Sequence, residues 1–280
     1  MLHKPFVSIS CITYNHAPYI RQCLEGFLMQ KTNFSFEILI HDDASTDGTQ
    51  IIIKEYEKKY PNIIKPIYQT ENQYSRGVKI NPVFNFPRAN GKYIAFCEGD
   101  DYWTHQYKLQ KQVDFLENNP KIVFCSHNIN KIDNNNIIIE TAKESENILF
   151  YSSKEIIHNH FPTLSLVFRN VKLEYTQQLN KAFNGDAVLT TLLSLYGGAA
   201  HLGFIGANYR VHTQGIYNRN SYIENTLKSI DTRRILISSS SLPKETSKEI
   251  ERNIGIRKYK ASKYCLKRLK IISLLKILKA

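Results

Sequence analysis

Strand signals alternate with helix signals along the first half of the chain, and this alternation constrains the fold more than any other feature. Phe6 to Ile12 is rich in β-branched and apolar residues and reads as a strand. It ends in Thr13-Tyr14-Asn15-His16, and Pro18 suits the first turn of a helix with Ile20, Leu24, Phe27 and Leu28 on its apolar face. A second strand, Phe36 to His41, runs into Asp42-Asp43-Ala44-Ser45-Thr46-Asp47-Gly48. The helix expected next, Thr49 to Tyr60, buries Ile52, Ile53 and Tyr56. Ile63 to Tyr68 and Tyr93 to Cys97 are further strands, the latter delivering Glu98-Gly99-Asp100-Asp101-Tyr102-Trp103. A helix over Lys108 to Asn118 and a strand over Ile122 to His127 complete a βαβ pattern, which predicts an α/β fold with a mostly parallel sheet. Such sheets bind ligands beyond the carboxyl ends of their strands. Tyr14-Asn15 and both acidic clusters are therefore expected on one edge.

After His127 the pattern loosens. Asn128 to Asn147 reads as an irregular hairpin or flexible connection, and Leu164 to Phe168 as a strand. Asp186 to Tyr196 reads as a helix. His201 to Arg210 is strand-like and stops at Val211-His212-Thr213-Gln214-Gly215. From Asn218 the chain reads as helical, with a break near Ser238 to Pro243. The expected organisation is a catalytic domain over 1–217, divided into 1–127 and 128–217, followed by a helical region over 218–280.

Glu98-Gly99-Asp100-Asp101 is the strongest chemical signal. Three carboxylates within four residues repel one another, and a hard divalent cation with a diphosphate would relieve that repulsion. A solvated turn in which Asp100 or Asp101 caps the following helix explains the cluster equally well. In the second cluster, Ser45 and Asp47 suit a turn and a helix cap. Asp42, directly after a strand, is better placed to accept a hydrogen bond from a nucleobase, and Tyr14 at its strand end suits stacking on one. Asp186 opens a helix, where a capping role is the ordinary use of Asp. Arg210 and His212 acquire a role only if their loop folds over the acidic end of the sheet.

Together these segments resemble the family 2 glycosyltransferases, nucleotide-sugar enzymes of the GT-A fold, over about Phe6 to Gly215. The resemblance rests on Val7-Ser8-Ile9 with Thr13-Tyr14-Asn15, on Asp42 to Thr49, on Arg88-Ala89-Asn90-Gly91-Lys92-Tyr93-Ile94-Ala95, and on Glu98 to Trp103. It implies that Tyr14 and Asp42 hold the base, usually uracil, with Thr13 and Asn15 lining the pocket. Glu98-Gly99-Asp100 falls at the family's DxD position, which contacts the ribose and a metal–diphosphate; the first acid is Glu here, leaving Asp100 and Asp101 as expected metal ligands. Arg88 would meet the donor sugar or diphosphate. Asn184-Gly185-Asp186 falls where the family commonly shows Glu-Asp, and implies Asp186 as the general base, with Gly in place of the Glu. Tyr209-Arg210-Val211-His212 matches a late motif that implies a diphosphate or metal contact, with His212 as a ligand. The implied reaction is inverting transfer from a UDP-sugar, assisted by Mg²⁺ or Mn²⁺, to a glycan or lipid-linked glycan in bacterial surface polysaccharide synthesis.

Charge is unevenly distributed. The chain has 37 basic and 25 acidic residues, but ten basic and no acidic ones lie in 252–280, leaving 27 basic against 25 acidic in 1–251. Cys265, Leu269, Ile272, Leu275 and Leu278 recur there at helical spacing, which predicts a cationic amphipathic helix attracted to an anionic membrane surface. The alternative is a terminal helix that packs this stripe on the domain. Five scattered cysteines without a CxxC pair, and the lack of a signal-like N-terminus, predict a cytoplasmic protein peripheral on the inner face of the cell membrane. A nucleic-acid-binding role through the tail fits poorly with a nearly neutral body and clustered acids, so no nucleic-acid partner is expected. A sugar-1-phosphate nucleotidyltransferase would need a Gly-rich basic loop after the first strand, and Thr13 to Pro18 contains no Gly, Lys or Arg.

Overall fold

The structure, a computed structural model, describes residues 4–212, 220–239 and 242–280. The 217/218 boundary, the Thr213-Gln214-Gly215 segment, the first three residues and Ser240-Ser241 lie outside them.

Four parallel strands, β1 (Val7–Thr13), β2 (Phe36–Asp42), β3 (Ile64–Tyr68) and β4 (Tyr93–Phe96), form one half of a single sheet in the order β3-β2-β1-β4. Helices α1 (Ile20–Leu28) and α2 (Thr49–Lys59) connect the first three. Val7, Ile9, Cys11, Ile38 and Ile40, alternate residues on one face of the sheet, pack with Ile20, Leu24 and Phe27 in one cluster. The sequence boundaries agree to within a residue or two, because each strand is a short apolar run bounded by turn residues.

The sheet continues from β4 through β9 (Val167–Arg169), β6 (Ile122–Ile132) and β10 (Gly198–Arg210) to the two-residue β5 (Tyr102–Trp103). β9 is antiparallel to both neighbours, so β6 and β10 run in the same direction as β1. Helix α3 (Lys108–Asn118) precedes β6. β7 (Ile138–Thr141) and β8 (Leu149–Tyr151) pair at the margins with β6 and β10.

Two expectations change here. The strand predicted to stop at His127 continues to Ile132, because residues 128–132 pair with β10 and the Asn side chains find partners: Asn128 Nδ2 donates to Gly203 O and Asn130 Nδ2 to Asn208 Oδ1. The irregular hairpin expected over Asn128 to Asn147 is present: Asn130 to Ile132 of β6 pair antiparallel with β7, with a register shift between Lys131 and Ile132. Leu164 to Phe168 opens as a 3₁₀ turn (Thr163–Ser165), and the strand proper starts at Val167.

Helices α4 (Ser153–His158), α5 (Gly185–Leu193), α6 (Tyr222–Ser239) and α7 (Lys244–Lys267) share a second core of Ile157, Val188, Leu192, Leu236 and Ile250. The last helix, α8 (Ile271–Lys279), seats Ile277 against Ile223 of α6 and Ala261 and Cys265 of α7. The tail therefore does pack one face on the fold. Of the stripe read from the sequence, however, Cys265 is buried, whereas Leu269, Ile272, Leu275 and Leu278 are exposed. Among the described residues no helix is long and apolar enough to cross a membrane.

Candidate active site

The carboxyl ends of β1, β2 and β4 meet at one sheet edge. Thr13 is in register with Asp42, and the Gly99 N–H donates to Ile12 O at 2.9 Å, which brings the loop after β4 level with both. A Cβ at Gly99 would lie 2.7 Å from Thr13 Oγ1, so only glycine lets this loop lie so close to β1.

The loops after β1 and β2 are laced together. Asn15, in the left-handed region (φ 54°), receives a hydrogen bond from Thr46 N–H on its side-chain oxygen, and its own N–H donates to Ser45 Oγ. The His16 N–H donates to Thr49 Oγ1 and the Ala17 N–H to Asp47 Oδ2. Asp47 also accepts the N–H and hydroxyl of Thr49, a turn just ahead of α2 whose N-cap position is Gly48 rather than Asp47. Asp42 Oδ1 accepts from Ser45 N–H and Gln50 Nε2, while Oδ2 is buried without a hydrogen-bond partner in the protein. Tyr14 stands at the end of β1 with 45% of its surface exposed, an open ring rather than a core one. Asp43, absent from the expected site, accepts the N–H groups of Gln73 and Tyr74 and so fixes the loop leading towards β4.

The three acids after β4 have different surroundings. Glu98 accepts a hydrogen bond from the Thr163 hydroxyl at 2.9 Å, and burial, reinforced by the charge of Asp100, pushes its carboxyl up to about 7. Burial would push Asp100 the same way. The hydrogen bond to His212 and the charges of His16 and His212 outweigh it and hold Asp100 below the usual carboxylate range. His212 Nε2 lies 2.9 Å and His16 Nε2 3.7 Å from the same oxygen, Asp100 Oδ2. His16 is a site residue that sequence reasoning missed as such: it sits in the quoted β1 loop, but no spacing signals a contact with Asp100.

Asp101 departs from expectation. It is 3% exposed, and its Oδ1 accepts the Arg210 backbone N–H at 2.7 Å; burial and the repulsion of Asp100 and Glu98 push its carboxyl well above the usual range. Through Oδ1 it holds the turn to the β10 backbone, a contact that the expectation of a metal ligand did not include. Arg210 is likewise engaged within the protein. Its guanidinium donates to Asp100 O, Asp133 O, Gln22 Oε1 and Asn136 Oδ1, which makes it a buried clamp on the acidic loop rather than a group open to a diphosphate. Arg88 also differs: it donates to Ile40 O, Lys65 O and Asn85 Oδ1, tying β2 and β3 together, with its Nε and both terminal nitrogens engaged.

Asp186 lies in the first turn of α5, behind the N-cap residue Asn184. Burial favours its neutral form, but the hydrogen bond and charge of His160, the Ala187 N–H and the charge of Arg233 together keep its carboxyl below the usual range. His160 Nε2 is 3.4 Å from Asp186 Oδ2. Asp186 also contributes to raising Glu98, so the two acids lie within electrostatic reach although 88 residues of chain separate them. A Cβ at Gly185 would meet nothing within 4 Å, so the residue found where the family commonly has Glu adjoins open space.

A family model described as Glycosyl transferase family 2 matches residues 8–175, more than half of the chain and all of the β1, β2 and β4 loops. The chain belongs to this family. An uncharacterized protein of Mycobacterium tuberculosis is 36% identical over 218 residues, covering 76% of this chain and 60% of that relative, so the match spans less than two thirds of the relative's length. The Escherichia coli UDP-Glc:alpha-D-GlcNAc-diphosphoundecaprenol beta-1,3-glucosyltransferase WfaP is 29% identical over 229 residues, 80% of this chain and 86% of WfaP. Among solved structures, S. aureus TarS in complex with UDP-GlcNAc superposes with a TM-score of 0.63 at 18% identity over 87% of this chain and 70% of that one. The fold is accordingly the GT-A type expected from the sequence, a mostly parallel sheet flanked by helices.

Two potential metal donors, rather than a cage, converge at the acidic loop. Among the described residues no group of three or more His, Cys, Asp or Glu side chains is arranged to hold a metal. Asp100 Oδ2 and His212 Nε2 nevertheless converge, with the Asp100 side chain 20% exposed. One carboxylate oxygen and one imidazole nitrogen, completed by phosphate oxygens and water, suit Mg²⁺ or Mn²⁺ in a nucleotide site. The residues present fit such an ion.

Proposed function

We propose that this chain is an inverting glycosyltransferase that moves a sugar from a nucleoside-diphosphate sugar to a hydroxyl of a glycan or lipid-linked glycan in bacterial surface polysaccharide synthesis. UDP-sugars are the first donor class to test. The observation that carries this reading is the convergence of Thr13, Asp42 and Asp100 at the carboxyl edge of parallel strands, with the ionised Asp186 in reach of Glu98.

In this reading the Tyr14 ring stacks on the base and Asp42 Oδ2 accepts a base N–H. Thr13 and Asn15 form the pocket wall, and Glu98, Gly99 and Asp100 face the ribose and diphosphate. A cation held by Asp100 and His212 supplies positive charge to the departing diphosphate. The acceptor hydroxyl attacks the anomeric carbon from the face opposite the leaving group, and its proton passes to Asp186. The new carbon–oxygen bond forms as the anomeric carbon–phosphate oxygen bond breaks, releasing the nucleoside diphosphate, and an α-linked donor gives a β-glycoside. One carboxylate suffices for this displacement.

The name of the Escherichia coli relative, with its UDP-glucose donor, diphosphoundecaprenol acceptor and β linkage, supports both the donor class and the stereochemistry. A lipid-linked acceptor would place the enzyme on the cytoplasmic face of the cell membrane. Calorimetric titration with UDP, GDP and dTDP, each with and without Mn²⁺, tests the proposal. Metal-dependent binding of UDP alone is expected; folded protein that binds none of the three would sink the reading.

A further inference from the structure

The last helix presents two different apolar surfaces, and only one of them is used by the fold. Ile277 is fully buried and Leu274 partly so, both packed on the cluster of Ile223, Ala261 and Cys265. At about 100° per residue, Ile271, Ile272, Leu275 and Leu278 fall on an arc roughly 120° wide that is rotated away from Ile277. Each of these four, and Leu269 just before the helix, is more than half exposed. An apolar arc of this kind on a helix already anchored by its opposite face contributes nothing to packing within the chain.

Basic side chains adjoin the arc: Lys276 borders it, and Lys279 enters it at the last turn of the helix. Lys267, Arg268, Lys270, Lys276 and Lys279 are all exposed, and residues 252–280 hold ten basic and no acidic residues. Glu224 of α6, within electrostatic reach of Lys276, is one acid set beside them. We propose that Leu269 and the Ile271, Ile272, Leu275 and Leu278 arc of α8 insert at the surface of an anionic membrane, with the helix lying in the interfacial plane while Ile277 holds it to α6 and α7. Charge complementarity selects this occupant: a second copy of the chain would bring the same dense positive field against itself, whereas anionic head groups neutralise it. The nine residues of α8 rise only about 13 Å, well short of the ~30 Å hydrocarbon core, so the helix cannot span it. This inference deepens the membrane-surface expectation by dividing the stripe: Cys265 belongs to the fold, and the four residues of the arc together with Leu269 belong to the lipid.

The test is sedimentation of the whole chain with phosphatidylglycerol–phosphatidylcholine vesicles and with pure phosphatidylcholine vesicles, in the absence of any nucleotide. Wild type should bind the anionic vesicles, lose most of that binding in high salt, and bind the neutral vesicles weakly. Ile272→Glu/Leu275→Glu should reduce binding at least about tenfold while leaving Tm unchanged, since neither residue packs in the core. Lys276→Glu/Lys279→Glu should weaken binding to the anionic vesicles specifically. Equal binding by wild type and the Ile272→Glu/Leu275→Glu variant would overturn the proposal. So would an absence of wild-type binding, or a concentration-dependent dimer that the same variant abolishes. UDP titration of the variants reads the sugar-transfer proposal separately: unchanged nucleotide binding with lost vesicle binding isolates the membrane role.

Discussion

His212 Nε2 sits 2.9 Å from Asp100 Oδ2, a contact between residues 112 apart in sequence. β10 makes it possible, because its parallel pairing with β6 and its antiparallel pairing with β5 return the chain to the end of β4. The two side chains form the pair through which the protein would grip a cation.

Replacing either partner should therefore separate metal affinity from folding. Asp100→Asn and His212→Ala are each expected to weaken Mn²⁺-dependent UDP binding about 10- to 100-fold, and Asp100→Asn to lower transfer by about 10²- to 10³-fold. Calorimetry with and without Mn²⁺ checks the first effect. Unchanged metal dependence in both variants would remove the pair from the cation site.

Asp186 makes a different kind of prediction. Asp186→Asn should leave donor affinity within about twofold and reduce transfer by about 10²- to 10⁴-fold. Because its carboxyl is held below the usual range, Asp186 should stay ionised to lower pH than an ordinary carboxylate. Removing the hydrogen bond and charge with His160→Ala should move the acid limb of the transfer–pH profile upward. A limb that stays in place would mean that another group sets it.

Arg88 and the donor site should come apart experimentally. Arg88→Met deletes the ties to Ile40 O and Lys65 O, and should lower stability by about 1–3 kcal/mol while changing UDP affinity by less than about twofold. Urea unfolding together with UDP titration decides the matter; a large affinity loss with unchanged stability would restore Arg88 to the donor site.

Lys108 sets a pH dependence of stability that has nothing to do with catalysis. It is fully buried, its ammonium lies 4.0 Å from the centre of the Trp103 ring and donates to Gln112, and burial lowers its pKa from 10.5 to about 7. Between about pH 7 and 10.5 the unfolded chain binds this proton and the folded chain does not, so its contribution to stability rises with pH through that window. The penalty is full below pH 7 and gone above 10.5, and each pKa unit is worth about 1.4 kcal/mol. Lys108→Met should remove that rise. The difference in urea midpoint between wild type and variant, followed across the window, reads it directly.

The sequence alone determined β1 to β4, the helices between them and the convergence of their terminal loops. Each strand is a short apolar run, each loop is polar and rich in turn residues, and a parallel sheet has one edge at which such loops can meet. The same local chemistry identified Asp47 as a turn residue and Asp42 as different from it. Tertiary structure decided which acid faces what. Asp100 and Asp101 are adjacent and chemically identical in the sequence, yet one meets two histidines and the other a backbone N–H of β10. The sequence marks Arg88 and Arg210 as candidate phosphate contacts, and folding sets backbone and side-chain oxygens against their donors. His16 and His160 became part of the site only through folding. In each case the partner lies far along the chain, and neither periodicity nor spacing encodes which distant group a side chain will find.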